Sequence, residues 1–197
     1  MTESGFQAIH ASIVQRLSAG LDPRLTYHNL AHTLDVLDQS LRISLAEKIS
    51  DPRLLLLIRL AALFHDTGFL FEYSGHEARS CKIMREALQG TSITEEELVL
   101  ISGMIMATKI PQSPSNLMEQ IICDADLDYL GRADFPPISN NLKKEFLEYG
   151  VIKNEADWEL LQIGFLEKHQ YFTQTSNETR APKKREYLSI LKQEQDH

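Results

Sequence analysis

Leu54 to Phe64 is the longest apolar run of this chain, interrupted only by Arg59, and it constrains the fold more than any other segment. Asp51-Pro52 opens it with an N-cap side chain followed by a residue suited to the first helical turn, and Gly68 closes it. The pattern predicts a helix running through Leu54 to Asp66 that is apolar on every side. Such a helix must be covered on every side, and it is too short to cross a bilayer.

The covering segments are helical as well. No stretch shows sustained period-two alternation between hairpin turns, so the chain reads as all-α, a helical bundle. Phe6, Ile9, Ile13 and Leu17 mark a first helix that stops near Gly20, and a second runs from about Tyr27 to Lys48. Gly75 and Gly90 bracket a fourth, Thr94 with Glu97 forms a capping box for a fifth, and Ser115 opens a sixth up to Gly131. A shorter helix covers about Asn141 to Tyr149, Asn154 caps a long one reaching Phe172, and Pro182 starts a charged one. With 43% hydrophobic residues, 197 residues suffice for one core, so one domain is expected over 1–197, with its core at about 25–175 and a charged terminal helix or tail at 180–197.

The formal charge of -8 argues against sequence-independent binding to nucleic acid or an anionic membrane, while leaving room for a small anionic ligand. Cys81 and Cys123 both fall in apolar helical patterns and read as reduced core thiols. With no signal-peptide pattern at the amino terminus, a cytoplasmic location is expected.

Imidazoles and carboxylates gather in four phrases: Tyr27-His28-Asn29-Leu30-Ala31-His32, Phe64-His65-Asp66, His76-Glu77 and Asp124-Ala125-Asp126-Leu127. These side chains can hold a divalent metal with open positions for water. On its helix Asp126 shares a face with Ile122, Cys123, Tyr129 and Leu130, where an unpaired carboxylate is costly and needs a partner. That partner is either a metal or a proton or arginine. Asp124 and Asp128 point the other way, which leaves Asp124 as a supporting or surface residue. His65-Asp66 sits at the end of the most apolar helix, alternatively as a buried histidine and a turn-former. His28 and His32 lie one turn apart with Asp35 and Gln39, opposite Leu30, Leu34, Leu37 and Leu41, on a face that Val36 and Ile43 suggest is partly covered.

Together these residues resemble the HD superfamily of metal-dependent phosphohydrolases, from about Leu25 to Gly131. The resemblance implies that His32, His65, Asp66 and Asp126, from separate helices, bind a divalent metal, with Asp66 also serving catalysis. The phrase from Tyr27 to His32 is similar to a segment of cyclic-nucleotide phosphodiesterases whose first histidine is the general acid, which would make His28 the proton donor. Two nitrogens and two carboxylate oxygens leave two octahedral positions, a set that suits Mn, Fe, Co, Ni or Mg and does not exclude Zn.

Thr67-Gly68-Phe69 and Thr108-Lys109 stand where binuclear relatives carry further metal-site residues. His76 and Glu77 are candidates for a second cation or a phosphate contact, or an ordinary helix start. Lys109 and the Phe165 to Lys184 stretch, with His169, Tyr171 and Arg180, are candidates for binding an anionic substrate, although basic residues near helix ends commonly serve the helix dipole. The expected activity is hydrolysis of a small phosphate ester, of a nucleotide or cyclic nucleotide. The competing reading is a non-catalytic module that senses a nucleotide or a metal.

Overall fold

The computed structural model describes residues 1–195, so the last two residues of the expected terminal segment lie outside the described part. It is all-helical: α1 (Glu3–Gly20), α2 (Leu30–Ala46), α3 (Pro52–Phe64), α4 (His76–Leu88), α5 (Glu95–Ala107), α6 (Leu117–Asp126), α7 (Phe135–Glu148), α8 (Glu155–Lys168), α9 (Gln174–Thr179) and α10 (Ala181–Gln195). Short 3-10 turns, Thr67–Leu70 and Asp128–Gly131, follow α3 and α6. No described helix is long and apolar enough to cross a membrane.

Local chemistry sets most of the boundaries. Asp51 accepts the Arg53 amide with Pro52 in the first turn of α3, Gly75 (φ +81°) precedes α4, and Thr94 with Glu97 completes a capping box at α5. The second helix starts later than its sequence pattern predicts, because the Asn29 side chain accepts the amides of Ala31 and His32. His28 therefore belongs to the turn before α2. Asn116, and not Ser115, caps α6.

The central helix is the one expected. Leu56 to Phe64 of α3 are buried apart from Arg59, and α1, α2, α4, α5 and α6 pack around it. Truncating a residue such as Leu60 or Phe64 to alanine would cost about 2–5 kcal/mol. On α2 the buried seam is Thr33, Val36, Ser40 and Ile43, whereas Leu41 of the leucine stripe is exposed. A second apolar cluster joins Tyr27, Leu127, Tyr129, Leu130, Phe135, Leu166 and Tyr171. Ala125 belongs to the first cluster and Leu127 to the second, so Asp126 stands at the seam between them. Both cysteines are free thiols, and burial pushes both upward in pKa.

Candidate metal centre

Three segments, α2, the end of α3 and α6, bring His32, His65, Asp66 and Asp126 to that seam. One ligand atom each from His32, His65 and Asp66 lies within 4.8 Å of the others, a group that could hold a metal ion. Asp126 Oδ1 lies 3.1 Å from His32 Nε2 and 3.6 Å from His65 Nε2, and Asp66 Oδ2 lies 3.4 Å and 3.2 Å from the same two nitrogens. The two nitrogens face each other at 3.4 Å.

The His32, His65 and Asp66 atoms converge, with Asp126 beside the two histidines. His65 Nδ1 donates to the Ala62 carbonyl at 2.8 Å, which leaves the Nε2 lone pair free toward His32. Asp66 Oδ2 is buried within ion-pair range of both histidines, yet it has no aligned hydrogen-bond partner. A buried carboxylate oxygen without a donor, beside nitrogens aimed at one another, is an arrangement that a cation would satisfy. The residues present fit a divalent metal.

Without a cation, protons hold the cluster together. Burial opposes a charge on His32, but Asp126 and Asp66 outweigh it and lift its pKa to about 9. Burial likewise opposes a charge on His65, and the Asp66 charge overcomes it to raise that group too. Burial alone would push Asp126 upward; hydrogen bonds from His32 and His65 hold it down at about 2.

His76, at the first turn of α4, faces the other oxygen of Asp66, with Nε2 3.4 Å from Oδ1. Its Nδ1 donates to the Tyr73 carbonyl at 3.2 Å, and Glu77 Oε1 lies 3.7 Å from its Nε2. Gly68 makes this approach possible, because a Cβ there would stand 2.0 Å from the His76 carbonyl oxygen. The Gly68 amide also donates to Ser80 Oγ of α4 at 2.8 Å.

His28 stacks on Phe69 (centroids 4.4 Å apart), which stacks on His76 (3.9 Å). Its ring lies 5.9 Å from that of His32. Glu145 of α7, fully buried, accepts His28 Nδ1, the backbone amides of Tyr27 and His28 at 2.8 and 3.0 Å, and the Tyr73 hydroxyl at 3.1 Å. Burial pushes its carboxyl up, but these donors, His28 foremost, bring it below the ordinary carboxylate range. Sequence reasoning missed Glu145, since nothing local marks it on an amphipathic helix.

Other expected residues are placed differently. Asp124 is fully buried and away from the surface, where it accepts the amides of Phe172 and Thr173 and the Thr173 hydroxyl at 2.7–2.9 Å. It anchors the loop after α8 and does not join the metal cluster. Tyr171 is committed to the Leu127 carbonyl through its hydroxyl, and Arg180 to buried Asp128 through Nε at 3.0 Å. Lys109 is exposed and outside the cavity wall described below. His169 does line that cavity: Lys184 Nζ donates to its Nδ1 at 3.3 Å, and burial together with the Lys184 charge pushes it down to about 3, a neutral ring.

Fold and site together define an all-α protein with a candidate divalent-metal centre. Compared with known proteins, the chain matches no protein-family model, no curated protein and no solved structure.

Proposed function

We propose that this protein is a metal-dependent phosphohydrolase of the HD type that cleaves a phosphate ester, with nucleotides and cyclic nucleotides as the expected substrates. The observation that carries the reading is the clustering of His32, His65 and Asp66, with Asp126 beside both histidines, around an Asp66 oxygen that hydrogen bonds leave unsatisfied. A divalent cation held there would supply charge neutralisation at the phosphoryl group and a more acidic water.

The chain's own residues supply the rest. His28 is the proton donor: Glu145 accepts its Nδ1–H, which turns Nε2 away from Glu145. A carboxylate behind an imidazole fixes the ring's orientation, so that Nε2 is the nitrogen left to protonate a departing oxygen. Phe69 holds the ring flat from one side. His28, Asp66, His76, Glu77 and Asp126 all open onto one cavity, where an ester can reach them together.

Elemental analysis of the purified protein, paired with a phosphoester turnover screen, tests the reading. The expected result is at least one divalent ion per chain and turnover that disappears with it. Full metal occupancy with no turnover on any phosphoester would favour the sensing module, and absence of bound metal would remove the hydrolase and favour a structural role for the cluster.

A further inference from the structure

The cavity that begins at the metal cluster has a volume of about 680 Å³. That is within the range of sites that enclose a whole small molecule. Beyond the polar end it runs between Phe135, Leu142, Phe146, Trp158, Phe165 and Leu166. Ile110 and Leu160, 52% and 64% exposed, carry the apolar surface out to its rim.

Positive charge is scarce along this wall. Among the described residues lining the cavity, Lys168 is the only lysine or arginine, and it is exposed. Arg180 is taken by Asp128, and the Lys184 ammonium donates to the carbonyls of Leu166 and His169. Each further phosphate on a ligand brings charge that an apolar wall disfavours unless a cation meets it. One phosphate can be met at the metal cluster; a chain of them has nothing to meet it farther in.

Gly164 adds an independent observation. It sits inside α8 and lines the cavity, and a Cβ built there meets no atom within 4 Å. Glycine is the least favourable residue after proline within a helix, and no crowding explains it here. Its absent side chain leaves room in the cavity wall.

We propose that this cavity receives the bulky, uncharged and mainly apolar body of an ester bearing a single phosphate group, passing over Gly164, and that polyphosphates are poor ligands. The proposal rests on the phosphohydrolase reading for the position of the phosphate and adds the class of the remainder.

Trp158 is the sole tryptophan of the chain and lines the cavity, so its fluorescence reports occupancy without any turnover. Metal-loaded protein would be titrated with hexyl-, octyl- and decylphosphonate, and turnover compared for phenyl phosphate, 1-naphthyl phosphate and ATP. Affinity should rise roughly fourfold for each methylene that is buried. Turnover, as kcat/KM, should be greatest for naphthyl phosphate and least for ATP. Gly164→Leu should retain metal and weaken decylphosphonate at least tenfold. Affinity that is flat with chain length, or ATP cleaved as well as naphthyl phosphate, overturns the proposal while leaving a phosphohydrolase. Phosphonate affinity that climbs with chain length, with no ester cleaved, upholds the cavity assignment and removes the hydrolase reading.

Discussion

Glu145 receives the His28 ring on one carboxylate oxygen and the backbone amides of Tyr27 and His28 on the other, although the two residues stand 117 positions apart. The same carboxylate thus fixes both the backbone and the ring of the proposed proton donor. Glu145→Gln keeps the shape but replaces one carboxylate oxygen that accepts these donors with an amide nitrogen. Turnover should fall roughly 10–100-fold with metal content unchanged, as when the outer partner of a catalytic-site histidine is lost. Metal analysis beside steady-state kinetics checks both halves.

His28 itself should matter more, and selectively. His28→Ala should keep the metal and lose about two to four orders of magnitude on an ester with a poor leaving group. An activated aryl ester needs little proton assistance and should lose much less. Equal losses on the two substrates would make His28 a positioning residue.

Asp124 and Asp126 sit two residues apart on α6 and divide structure from chemistry. Asp126→Ala should empty the site, with little loss of fold. Asp124→Ala leaves the Thr173 amide and hydroxyl, both buried, and the half-buried Phe172 amide without an acceptor, and should cost about 2–4 kcal/mol while the metal stays. Denaturant melts and elemental analysis on both variants separate the roles.

That division was half legible in the sequence. The helical face of Asp126 could be read from its neighbours, but the fate of Asp124 depends on Phe172 and Thr173, and no local pattern announces a partner so distant in sequence. α3 and α5 begin where their caps say, because a cap is a contact between near neighbours, and α4 begins after the left-handed Gly75. α7 begins at Phe135 and not near Asn141, since Pro136 and Pro137 occupy a first turn whose amides need no acceptor. The six residues of α9 are too few to show a period. Glu145 was illegible for the same reason as the Asp124 loop: its meaning lies across the fold.

His32 ties metal loading to pH. Its pKa in the metal-free protein, about 9, lies above the ordinary 6.5, so binding a cation near neutral pH displaces a proton. Apparent metal affinity should rise with pH, by up to about tenfold per pH unit for each proton displaced, and His65, also raised, adds to the dependence. The stability of the metal-free protein should move the opposite way. A raised histidine contributes fully below the unfolded value of 6.5 and loses that contribution as pH climbs through 9, by up to roughly 3 kcal/mol. Melting curves from pH 6 to 10, with and without chelator, test the sign; a metal-free protein that gains stability over that window contradicts it.

His76 faces one oxygen of Asp66, and Gly68 lets the start of α4 approach closely enough for it to do so, so their variants should diverge. His76→Ala removes the neighbour of Asp66 Oδ1 without crowding anything, so metal affinity should weaken about 10–100-fold while the melting point holds. Gly68→Ala sets a methyl 2.0 Å from the His76 carbonyl oxygen, which forces the start of α4 away from the turn that carries Asp66. It should lose comparable affinity and also about 1–3 kcal/mol of stability, the usual range for forced overpacking. Calorimetric metal titration together with thermal melts distinguishes the two. A fall from two bound ions to one in His76→Ala would make His76 a ligand in its own right, with Asp66 shared between the ions through its two oxygens.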